Sequence, residues 1–74
     1  MKKSHEEMMQ KAWATIESCR ITEDPAQYEA DNEMYLVDDI HKVRDALYSD
    51  MEQGIEIEGE DLDGFFARHG ISYK

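Results

Sequence analysis

At 74 residues the chain has room for one acidic helical domain, and a chain of that length buries only about 60% of its unfolded surface. Eighteen acidic side chains stand against eight Lys and Arg, a net charge of -10. This excess repels nucleic-acid phosphates and anionic membranes, so neither is an expected direct partner, whereas a protein with a basic surface is. The single cysteine, Cys19, has no intrachain partner, and no apolar run approaches the ~20 residues of a membrane span. Lys2 and Lys3 lead into Ser-His-Glu-Glu, unlike a signal peptide, so the reducing cytoplasm is the expected location.

The expected fold class is all-α: a small three-helix domain with helices at about 4–20, 25–53 (or from 32) and 60–69, and a short extended segment at 55–58. Ser4 with Glu7 three residues later forms a capping-box pattern. From there Met8, Met9, Ala12, Trp13, Ile16 and Cys19 share one face of the first helix. Asp24-Pro25 reads as an N-cap followed by Pro at the first helical position. The apolar stripe Leu36, Ile40, Val43, Leu47 and Met51 then predicts a long second helix, ended by Gly54, with a break near Asp31-Asn32 as the alternative. Ile55-Glu56-Ile57-Glu58 alternates as an extended segment does. Leu62, Phe65, Phe66 and His69 recur at helical spacing despite Gly64, and Gly70 follows as a C-terminal cap. Residues 72–74 are expected to be loose.

Little here points to catalysis or to a cofactor. With Gly64 at the sixth position of a calcium loop, the first and twelfth positions fall on Gly59 and Gly70, so both key ligands are missing. The acids around Glu56–Asp63 suit a solvated loop. His5, His41, His69 and Cys19 lack paired zinc spacing. Cys19 on an apolar face reads as a small core residue, and His69 suits the last turn of its helix. The chain is expected not to be an enzyme and to hold neither metal nor cofactor.

Charge placement is more informative. Residues 1–20 carry four basic side chains against three acidic, and residues 21–74 carry four against fifteen. Asp24, Asp31, Asp38, Asp45 and Glu52 follow one another at intervals of seven, so on a continuous helix they would form a solvent-facing ridge with a carboxylate every ~10.5 Å. A DNA strand presents one charge per ~3.4 Å, so such a ridge needs added acids to imitate it. The partner-binding set expected on this basis is Asp31, Asp38, Asp45, Glu52, Glu56, Glu58, Glu60, Asp61 and Asp63, with Tyr35 and Tyr48 as aromatic anchors. In composition and size the chain resembles small acidic phage or mobile-element inhibitors, anti-CRISPR and anti-restriction proteins among them. That resemblance implies an inhibitor or regulator that engages the basic, nucleic-acid-binding surface of a target protein. The alternatives are an antitoxin-like neutraliser and a homodimeric helical adaptor joined through Leu36, Ile40, Val43, Leu47 and Met51, its charge serving solubility.

Overall fold

The computed structural model describes residues 4–57 and 61–74, and these are mostly helical with a small sheet. The elements in chain order are α1 (His5–Ser18), β1 (Ile21–Thr22), α2 (Pro25–Ala30), β2 (Tyr35–Leu36), α3 (Ile40–Glu52) and α4 (Leu62–His69).

Helix α1 starts as its sequence directs, with the Ser4 side chain accepting from the Glu7 amide at 3.2 Å. It buries Met8, Ala12 and Ile16, while Trp13 and Cys19 pack at the margin of the core. Just beyond it, Arg20 adopts a left-handed φ of 57°, uncommon without glycine, and turns the chain into β1. Asp24 caps α2 through the Ala26 amide, with Pro25 at the first position.

The long second helix is broken near Asp31-Asn32, the alternative that the sequence left open, and the gap is longer than expected. Helix α2 stops at Ala30 and α3 begins only at Ile40. Between them β2 pairs in parallel with β1, with Tyr35 and Val37 amides donating to the Arg20 and Thr22 carbonyls at 2.8 Å. Tyr35 and Val37 favour this extended geometry. Asp39 completes the break by accepting from the His41 amide as N-cap of α3. Leu36 therefore belongs to a strand, so its agreement with the helical stripe was coincidental. The acid ridge across residues 24–52 goes with the long helix, because Asp24 caps α2, Asp31 ends it and Asp38 lies between helices.

Helices α1 and α3 run antiparallel, with His5 stacked on Tyr48 and Trp13 edge-on to His41. The inward face of α3 carries Val43, Ala46, Leu47 and Asp50. Val43 and Leu47 sit in the chain's own core beside Ile16, Ile21, Val37, Leu62, Phe65, Phe66 and Ile71, with Ile40 and Met51 packed against it. The stripe proposed as a dimer seam is thus largely consumed within one chain. Gly54 and Gly70, both at positive φ, end α3 and α4 with matching paired hydrogen bonds. Residues 55–57 form no strand, and residue 58 lies outside the described residues.

The chain end is ordered, contrary to the expected loose tail. Lys74 exchanges backbone hydrogen bonds with Leu36 at 2.9 and 3.2 Å, and Tyr73 bridges to Val37 antiparallel. Alternate residues of the segment 35–37 thus serve β1 on one side and the tail on the other. The Tyr73 ring lies 4.7 Å from Phe66 and 5.7 Å from Tyr35, centroid to centroid.

A hydrogen bond to Asp63, followed by desolvation and the Asp63 charge, pushes the Tyr73 phenol above its ordinary value. The folded state thus favours the neutral phenol. Its contribution to stability is complete below about pH 10 and is lost as pH rises through the raised folded value. Asp63→Asn is expected to bring Tyr73 back toward ordinary titration, measured by tyrosinate absorbance. An unmoved titration curve would show that Asp63 does not set it.

Candidate functional site

Asp50 is the one buried acid among the described residues, at 3% relative exposure. It lies on the inner face of α3, one turn beyond Leu47, and the last turn of α4 meets it. Arg68 donates to its Oδ2, and His69 Nε2 lies 3.0 Å from its Oδ1. Both carboxylate oxygens are therefore partnered, as burial of a carboxylate demands. The His69 ring also lies 5.0 Å from the Phe65 ring, which ties the polar cluster to the aromatic core. A signal for this cluster exists in the sequence: positions 43, 46, 47 and 50 share one helical face, and Asp50 breaks its apolar pattern. The stripe from Leu36 to Met51 passes beside it. The clear consequence of the cluster is to clamp α4 to α3.

The described members of the expected partner-binding set are distributed over several elements. Asp31 pairs with Arg20, whose other nitrogen lies 3.9 Å from Glu33. Asp38 is exposed in the connection before α3. Glu56, beyond the end of α3, pairs with Lys11 of α1. Asp61 precedes α4 without making a side-chain cap, and Asp63 stands in its first turn. Tyr35 is half-buried against Phe66 and Tyr73, so it is a core-edge residue more than an anchor. Glu58 and Glu60 lie outside the described residues.

Asp45, Tyr48 and Glu52 do come together. With Ser49 and Arg44 of α3, and His5 and Met9 of α1, they line an open groove of about 330 Å³. Its aromatic wall is the His5–Tyr48 stack, with centroids 5.0 Å apart and planes at 24°, fixed by the Tyr48 hydroxyl donating to the His5 carbonyl. Arg44 contacts Asp45 Oδ1 through Nη2 at 3.2 Å and Nε at 3.4 Å. The expected set includes Asp45, Tyr48 and Glu52 of this groove but not Arg44, Ser49, His5 or Met9, the last two of which only the antiparallel packing of α1 on α3 brings there.

Cys19 sits half-buried at the end of α1, where burial pushes its thiol above the ordinary value and so lowers the thiolate fraction at neutral pH. Among the described residues, no three His, Cys, Asp or Glu side chains converge in a way that could hold a metal ion. Nor is any described helix long and apolar enough to cross a membrane. Comparison of the chain with protein-family models, curated proteins and solved structures gives no match.

The clamp predicts a specific pattern of stability. Arg68→Ala or His69→Ala alone leaves Asp50 one partner and is expected to cost about 1.5–3 kcal/mol. The double variant strands a buried charge and is expected to cost about 3–5 kcal/mol, more than Asp50→Asn, as read by urea denaturation. A double variant as stable as the parent would show that the clamp is dispensable.

Proposed function

We propose that this chain is a small protein-binding inhibitor or regulator that engages a basic, nucleic-acid-binding surface of a target protein. The observation that carries the proposal is the α1–α3 groove, where an aromatic wall adjoins the exposed carboxylates of Asp45 and Glu52 on a chain of net charge -10. The charge gives long-range attraction and fast encounter. The aromatic and thioether surface supplies the contact area that rim charges lack. Small anti-defence proteins of phages and mobile elements are the functional class that this composition and size suit, and a cytoplasmic target is in keeping with it. The reading is a binding role without catalysis. It does not depend on a helical acid ridge, and a dimer through Val43 and Leu47 is not part of it, since both are buried in the monomer.

The test is affinity capture from source-cell extract, with salt and duplex DNA as competitors. The captured protein is expected to bind nucleic acid by itself, to be released by moderate salt and by DNA, and to be lost with Asp45→Lys/Glu52→Lys. Capture indifferent to salt, to DNA and to both reversals would overturn the proposal.

A further inference from the structure

The groove's chemistry narrows the partner further, on the basis of the reading above. Its wall is aromatic, its neighbour Met9 is apolar, and its charged lining consists of Asp45, Glu52 and Arg44. Both Arg44 contacts fall on one oxygen of Asp45, Oδ1. That pair is an exposed one, of the kind that contributes little to stability. Glu52 is exposed at the end of α3 and makes no ion pair among the described residues. Asp45 and Glu52 are separated by seven residues, a rise of about 10.5 Å along the helix, with Tyr48 and Ser49 between them. That spacing leaves room for two cations, one at each end of the aromatic wall.

We propose that the α1–α3 groove docks a basic segment of the partner protein that presents at least two cationic side chains, with arginine at the aromatic wall. Charge complementarity selects a cationic occupant. The Tyr48–His5 surface then selects arginine over lysine, because a planar guanidinium stacks on an aromatic face while it hydrogen-bonds a carboxylate in its own plane. An ammonium ion does only the second well. The groove volume of about 330 Å³ lies at the small end of the about 300–1,000 Å³ usual for ligand sites. This suits side chains inserted from a larger partner. The existing Arg44–Asp45 contact shows a guanidinium already held at this position, and an incoming arginine would share or replace it.

The test uses the intact protein with an oligoarginine peptide and an oligolysine peptide of equal length, followed by NMR and calorimetry. Shift changes are expected to centre on His5, Met9, Tyr48 and Glu52, with the arginine peptide binding more tightly. Asp45→Asn/Glu52→Gln is expected to weaken it roughly tenfold or more, the loss of at least one charge-assisted hydrogen bond, with no fall in the thermal midpoint. Tyr48→Leu is expected to abolish the preference for arginine. Shift changes centred on residues 23–39 or on α4, or equal affinity in the double carboxamide variant, would overturn the groove assignment. The broader reading would survive that result if capture from extract remained sensitive to salt and DNA, so the two can fail separately.

Discussion

A carboxylate taken out of water must be answered by donors, and in this small fold that requirement falls on Asp50. Arg68 and His69 answer it from neighbouring positions at the end of α4, which fixes both the register and the rotation of that helix against α3. Much follows from this placement. It presents Leu62, Phe65 and Phe66 to the core, and Phe66 in turn supports the rings of Tyr35 and Tyr73. The tail can then pair with β2 and close the small sheet. A short chain with few large apolar residues thus uses one buried polar cluster to orient the helix that carries its two phenylalanines.

Local signals in the sequence are faithful where they concern local structure. Ser4, Asp24, Gly54 and Gly70 mark helix ends because their side chains or backbone freedom act within a few residues. The long second helix failed for the opposite reason. Leu36 extended an apolar period and Asp31 and Asp38 extended an acidic one, yet Tyr35 and Val37 find hydrogen-bond partners on β1 that no local pattern can display. The ordered tail and the His5–Tyr48 stack were hidden in the same way, since both join segments far apart in the chain. Of the groove's lining, charge and spacing single out Asp45, Tyr48 and Glu52, whereas Arg44 and Ser49 pass unmarked and the α1 side appears only with packing.

The acids prove to have several uses. Asp24 and Asp39 cap helices, Asp31 holds Arg20, and Asp50 docks α4. Glu23 lies 3.3 Å from the Ile40 amide and helps to start α3. Regular sevenfold spacing in the sequence therefore mixed structural acids with exposed ones. Asp45 and Glu52 remain as carboxylates on a built surface next to aromatic and apolar groups, which is why the proposed role centres on them and not on total charge alone.

Beyond the helix caps, the Arg20–Asp31 pair and the Asp50 cluster, folding has little need of the chain's excess negative charge. Like charges crowded on a small surface repel, and salt screens that repulsion more than it weakens a buried pair. The thermal midpoint of the isolated protein, followed from low to moderate salt at neutral pH, is the direct measurement. It is expected to climb. A midpoint that drops over the same range would mean that surface attractions hold the fold together, and that the exposed carboxylates are not available to a partner.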